Sequence, residues 1–246
     1  MPPFIIKPIK LEDCRDHGPG SKAELFIVEG DSAAGAVTVL RHAGFQAALP
    51  MQGKPLNALR ATPAKVLSNE LYRRLSESLA LPLHDFESSK TLFECNLKAA
   101  AEGDGEYLSL LRFERVLMLF DPDADGIHIG ALMLMFFYRW MRPLLESGRI
   151  EMVRAPLFAI SWLEPGSGTP SKAYAYSVAH LQSIQAELNR KGVQLVDTKH
   201  FRGLGSIDQA LLNETCVHPE TRKTQSMSLD DAHSTIAVLG GKLAKL

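Results

Sequence analysis

At 246 residues, with 46% hydrophobic and 22% charged side chains, the chain has the composition of a soluble globular protein, which excludes a disordered or collagen-like polymer. The length is enough to bury a core without disulfide or metal staples. With 27 Lys+Arg against 28 Asp+Glu the formal charge is -1, so bulk composition gives no support for nucleic-acid binding and any basic footprint must be local. The three cysteines, Cys14, Cys95 and Cys216, form no Cys-x-x-Cys pair and exclude a disulfide framework or a zinc ribbon. The start has no apolar run suited to a secretory signal. The longest apolar stretch, residues 127–141, falls short of the ~20 residues of a membrane span and predicts a buried helix. A cytoplasmic protein with no membrane association is expected.

Residues 1–22, with three early prolines and Gly18-Pro19-Gly20, read as an extended lead-in without a core of its own. Residues 24–28 form a short apolar run, ended by Glu29-Gly30-Asp31-Ser32 and followed by small residues through Leu40: strand, turn, helix. A second apolar piece, residues 46–50, leads into a loop forced by Gly53 and Pro55. Between Arg41 and Asn69 there is no acidic residue, while Arg41, Lys54, Arg60 and Lys65 are cationic, so this is the local basic segment. Helical spacing across residues 63–81 puts Val66, Leu67, Leu71, Leu75 and Leu79 on one face. Residues 102–106 predict an exposed turn.

The strongest element is residues 115–120, an apolar run that reads as a buried parallel strand, followed by Asp121-Pro-Asp-Ala-Asp-Gly126 and a helix from Ile127. Beyond Gly148, residues 149–154, 157–163 and 173–176 read as strands, with a loop at 165–170. Ser177 caps a helix to about Asn189, residues 201–205 form a glycine turn, Ser206 and Gln209 form a capping box, and a last helix runs from Asp230 to Gly240. Strand–helix alternation over the first 150 residues implies an α/β fold, a parallel sheet flanked by helices.

Asp121, Asp123 and Asp125 stand at alternate positions where a buried strand ends, the place where open α/β sheets bind ligands. Close carboxylates repel, and a hard divalent cation relieves the repulsion; a solvated acidic turn is the plainer alternative. An EF-hand loop fails because its twelfth position is Leu132 and a strand precedes it. An Asp-x-Asp phosphatase would make Asp121 a nucleophile, but leaves Glu29-Gly-Asp-Ser unexplained.

Glu29-Gly-Asp-Ser-Ala33, Leu49-Pro-Met-Gln-Gly-Lys-Pro-Leu-Asn57, Phe120-Asp-Pro-Asp-Ala-Asp-Gly-Ile-His-Ile129 with Phe136-Phe-Tyr-Arg139, Ala155-Pro-Leu-Phe158, Arg202-Gly-Leu-Gly205 and Pro219-Glu-Thr-Arg222 follow one another along the chain. Their order resembles the TOPRIM-containing C-terminal half of bacterial type IIA topoisomerase B subunits, of the DNA gyrase or topoisomerase IV kind, over roughly residues 10–240. The resemblance implies a Rossmann-like TOPRIM domain at 23–150, after the lead-in of 1–22, and a smaller α+β tail region at 151–246. It implies Mg²⁺, or Mn²⁺, held near the reacting oxygens by Glu29 and Asp121, a second ion served by Asp121 with Asp123, and support from Asp125. It also implies a proton-transfer role for Glu29 in religation, and DNA contacts by Lys54, Asn57 and Arg202. The partners implied are double-stranded DNA and an A-type subunit whose tyrosine attacks the phosphodiester. His128 reads either as a ligand-side residue or as a helix-start residue packed under the loop.

Departures from the family pattern are Gln52 where a basic residue is usual, few cations between Ser32 and Pro50, and Ser206-Ile207 after the glycine turn. Weak DNA binding is therefore expected. The family's ATPase domain would precede Leu11, and no ATP-binding motif occurs, so ATP hydrolysis by this chain is not expected. Catalysis is expected only with a tyrosine-bearing partner. The alternatives are a non-catalytic regulatory or DNA-binding TOPRIM module and a metal-dependent nuclease.

Overall fold

Phe26 and Val28 face one side of the first strand, Leu25 and Ile27 the other, and all four are fully buried, so this strand is covered on both faces. The structure, a computed structural model, describes residues 10–79, 108–109, 111–164, 169–193 and 195–239. In chain order these carry β1 (Glu24–Glu29), α1 (Gly30–Leu40), β2 (Gln46–Met51), α2 (Pro63–Leu67), α3 (Glu70–Leu79), β3 (Arg115–Leu119), α4 (Ala124–Trp140), α5 (Arg142–Glu146) and β4 (Ile150–Val153). There follow β5 (Phe158–Trp162), β6 (Ser171–Ala175), α6 (Val178–Arg190), β7 (Leu195–His200), a 3-10 turn at Leu204–Ser206, α7 (Gln209–Leu212), a π turn at Asn213–Val217, β8 (Thr224–Ser226) and α8 (Leu229–Leu239).

Strands β2-β1-β3-β4 are parallel and β8 closes the edge antiparallel, giving a mixed α/β fold with a mainly parallel central sheet. One face of the sheet packs on α3, α4 and α8 through Tyr72, Leu75, Met133, Phe136, Phe137 and Ala232. The other packs on α1 and on residues 204–217 through Ala34, Val37, Leu204, Leu212 and Val217. A second antiparallel sheet, β6-β5-β7, carries α6 on a small core of Ile160, Ala175 and Leu188. Among the described residues no helix is long and apolar enough to cross a membrane.

The first strand, its following helix and the strand before Asp121 lie where the sequence places them. Four details differ. The helix expected over 63–81 is two helices, because Asn69 turns the chain and its Oδ1 accepts the Tyr72 N–H at 3.1 Å to start α3. The long apolar helix begins at Ala124 instead of Ile127, since Asp123 is its N-cap. The cap of α7 is Asp208, whose Oδ1 accepts the Leu211 N–H at 2.9 Å, and not Ser206, which lies in the 3-10 turn. Strands β7 and β8 were not anticipated: β7 is largely exposed and β8 is a three-residue edge, so neither shows an apolar run. The expected turn at 102–106, most of the loop at 165–170 and Cys95 lie outside the described residues.

Residues from Lys10 onward in the lead-in pack on the sheet: Glu12 and Ala48 exchange backbone hydrogen bonds at 2.9 Å, and Leu11 and Cys14 are buried. Beyond residue 150, β4, β8 and α8 also belong to the first sheet and its core.

Candidate metal and nucleic-acid site

Because β1 and β3 are neighbouring parallel strands in register at Val28 and Leu119, their next residues emerge side by side at the same sheet end. That places Glu29, the last residue of β1, beside the loop that begins with Asp121. Gly30 takes a φ of +76° to turn the chain into α1, a conformation glycine adopts without strain. The Asp123 carboxylate accepts the Gly126 N–H at 2.9 Å and caps α4.

The three aspartates have different partners. Asp121 Oδ1 accepts the Leu204 N–H at 2.8 Å, and a Cβ on Gly203 would lie 2.6 Å from Asp121 Oδ2, so the glycine turn of residues 202–205 closes directly on this carboxylate. Asp125 is exposed and pairs with Lys54 Nζ at 2.6 Å, which holds its carboxyl below the usual range. Glu29 is partly exposed as a residue, yet its Oε2 is buried and has no hydrogen-bond partner. Burial, followed by the charges of Asp121 and Asp123, pushes the Glu29 carboxyl above its ordinary value, and the Asp121 backbone N–H offsets part of this.

Among the described residues, no three His, Cys, Asp or Glu side chains stand as a group already arranged to hold a metal ion. The donor chemistry nevertheless suits a hard cation: carboxylate oxygens only, mutual repulsion at Glu29, and a buried Glu29 Oε2 without a hydrogen-bond partner. Glu29, Asp121 and Asp123 fit such an ion. Asp125 instead neutralises Lys54.

The other sequence candidates are distributed as follows. Lys54 is half exposed and reaches the acidic loop through Asp125. Asn57 caps a turn, its Oδ1 accepting the Leu59 and Arg60 N–H groups at 3.1 and 3.2 Å. The following stretch is pinned to α4 by Arg139, whose Nη1 donates to the carbonyls of Ala58 and Leu59 at 2.9 and 2.6 Å. Arg202 is exposed at the head of the glycine turn, where its N–H donates to Ser206 Oγ at 3.2 Å. His128 is exposed on α4 and not packed beneath the loop.

A Toprim domain model matches residues 24–155. The chain belongs to the Toprim family. Its Toprim region and most of the rest are also similar to the DNA gyrase B protein of Thermus thermophilus, at 36% identity over 92% of this chain and 32% of that protein. The corresponding protein of Thermotoga maritima is 34% identical over 92% of this chain and 31% of its own length. A novobiocin-resistant DNA gyrase B protein of Streptomyces niveus is 34% identical over 92% of this chain and 30% of its own. The chain thus spans about a third of the length of these relatives.

Two contacts of this Toprim site escaped the sequence. Gly203 and Leu204 stand 82 and 83 positions beyond Asp121, and nothing in their residue types announces that contact. Gln52, which stands where a basic residue is usual, donates to Asp31 at 3.0 Å, and Lys10 pairs with the same carboxylate at 3.2 Å.

The raised carboxyl of Glu29 has a measurable consequence. A carboxyl whose folded-state pKa lies above its unfolded value destabilises the fold once ionised, so stability falls as pH rises from the unfolded value through the folded one. In chelator at pH 7, Glu29→Gln is expected to raise the melting temperature, and the gain should vanish below the ordinary glutamate pKa. A variant that melts lower than the parent at pH 7 would contradict the assigned repulsion.

Proposed function

We propose that this chain is the metal-binding half of a type II topoisomerase DNA cleavage–religation site, completed by a tyrosine from an A-type partner subunit. The observation that carries the reading is the orphaned, repelled Oε2 of Glu29 beside Asp121 and Asp123 at the joint end of β1 and β3. Glu29, Asp121 and Asp123 would hold Mg²⁺ or Mn²⁺, which neutralises charge developing on a phosphodiester and stabilises its leaving 3′-oxygen.

The chain's own groups do the remaining work. Glu29 lies at the end of β1 beside the acidic loop, where an oxygen of its carboxyl would give a proton to, or take one from, the alkoxide of the scissile phosphodiester. The Leu204 N–H donates to Asp121 Oδ1 and fixes the carboxylate that would help to hold the ion. Arg202, exposed at the glycine turn, binds a backbone phosphate of double-stranded DNA, and Lys54 does so by exchanging its exposed Asp125 partner for a phosphate; Asn57 shapes the turn beside Lys54. None of these groups is an in-line nucleophile, so the attacking tyrosine is assigned to the partner.

Mg²⁺ should raise the melting temperature of the isolated chain, and Asp121→Asn with Asp123→Asn should abolish that rise. Mixed with an A-type subunit, Mg²⁺ and plasmid, then quenched with denaturant, the chain should yield DNA covalently attached to the partner, and Glu29→Ala should remove this product. Plasmid cut by the chain alone, with no protein on the ends, would favour a water-using nuclease. No cutting in either mixture would favour a scaffold.

A further inference from the structure

Where β4 ends and β8 begins, a cavity of about 640 Å³ opens between the first sheet and α6, lined by Arg154, Tyr176, Ser177, His180, Lys223 and Gln225 among others. Among the described residues no acidic side chain lines it. A carboxylate that acts on Tyr176, that of Glu214, lines the neighbouring cavity. Arg222 also borders the cavity, but its guanidinium is engaged by Glu24 at 2.8 Å. The two remaining cations have no carboxylate partner among the described residues: Arg154 Nη1 donates to the neutral Gln225 Oε1 at 2.8 Å, and Lys223 Nζ sits 4.8 Å from the Tyr176 ring centroid.

The other wall is also built for an anion. Helix α6 is 13 residues long and starts at this cavity; Ser177 Oγ accepts the His180 N–H at 3.1 Å, and the first turn keeps further N–H groups without intrahelical acceptors. His180 Nδ1 accepts the Tyr176 N–H at 3.4 Å, which leaves its Nε2 as the donor nitrogen, and the two rings stack. Two cations without a carboxylate partner, an imidazole donor and a helix N-terminus thus surround one cavity, against the single carboxylate of Glu214 that acts on its Tyr176. The cavity also lies at a productive end of the sheet. Because β3 and β4 are parallel and paired at Met118 and Met152, Arg154 leaves β4 at the same end from which Glu29 and Asp121 leave β1 and β3.

We propose that this cavity is a second phosphate site, which holds a backbone phosphate of the same DNA duplex away from the acidic loop, with Arg154 and Lys223 as the contacting cations. It rests on the reading that the chain binds DNA. It also supplies positive charge that the stretch between Ser32 and Pro50 lacks.

The test is a salt titration of random-sequence duplex binding in chelator. It compares the parent, the double variant Arg154→Gln with Lys223→Met, and the control Lys191→Met, which removes a charge from the opposite end of α6. Each phosphate that the protein no longer neutralises should reduce the slope of log affinity against log salt by about 0.9, so the double variant, which gives up one phosphate, should lose about 0.9 and the control nothing. Both cations are exposed, so the melting temperature and its rise with Mg²⁺ should be retained. An unchanged slope in the double variant, an equal loss in the control, or a parent that shows no salt-dependent binding overturns the proposal. So does orthophosphate that stabilises the parent through Arg154 and Lys223 while the DNA slope stays fixed, which would make this a small-anion site. Failure of the Mg²⁺ response in all three chains would instead count against the metal reading of the acidic loop.

Discussion

Arg222→Met is expected to destabilise the chain by about 3–5 kcal/mol, read as a lowered urea midpoint at unchanged slope. The Arg222 guanidinium is 2% exposed and forks onto Glu24, itself 1% exposed in β1, with one bond at 2.8 Å; it also donates to the Val217 carbonyl at 3.2 Å. Without it, the buried carboxylate keeps only the Gln46 amide at 2.9 Å and the half-exposed Arg115 at 3.3 Å. The loss is large because a buried charge stays behind, not because the pair itself is worth that much. The double variant Glu24→Leu with Arg222→Met should therefore recover most of the stability. A single variant that costs under about 1 kcal/mol would show that water or Arg115 already satisfies Glu24. The Pro219-Glu-Thr-Arg222 motif thereby acquires a structural role: it ties the chain after the π turn back to the start of β1.

Gly126→Ala is the second large effect. A Cβ there would lie 2.0 Å from the Asp121 carbonyl oxygen and 2.9 Å from its backbone nitrogen, so the acidic loop itself must move. Overpacking of this kind costs about 1–3 kcal/mol, and the displaced Asp121 and Asp123 should lose the Mg²⁺-dependent rise in melting temperature entirely. Gly203→Ala provides a graded comparison. Its Cβ would meet the Asp121 side chain 2.6 Å away, so the carboxylate can swing aside; the fold should survive with a weakened Mg²⁺ response. Wild-type Mg²⁺ dependence in Gly126→Ala would mean that the loop geometry does not matter to the ion, and would remove the basis of the proposed site.

Both substitutions concern backbone approach, which separates what could be read from the chain from what could not. Contiguous apolar runs with turn residues at their ends, at 24–29 and 115–119, reveal buried strands because a strand covered on both faces needs no polar side. The same local logic exposes the Asp-x-Asp-x-Asp-Gly loop and, through the order of six motifs, the Toprim relationship. Weakly patterned pieces stayed silent. The exposed β7 and the three-residue β8 carry no periodicity, and Asn69 broke one apparent helix into two by hydrogen bonding rather than by hydrophobic spacing.

Residue types and spacing within this chain, then, determine that it is α/β, that acidic groups cluster at a strand end, and that a short acid-free segment lies nearby. The tertiary structure alone decides which aspartate is free to face an ion. Asp125 is neutralised by Lys54 from 71 residues away, Asp121 is gripped by the Leu204 N–H from 83 away, and Glu29 Oε2 is left without a partner. A carboxylate's availability depends on which donors the fold brings within about 3 Å, and hydrogen bonds between segments so distant in sequence leave no local signal in either one.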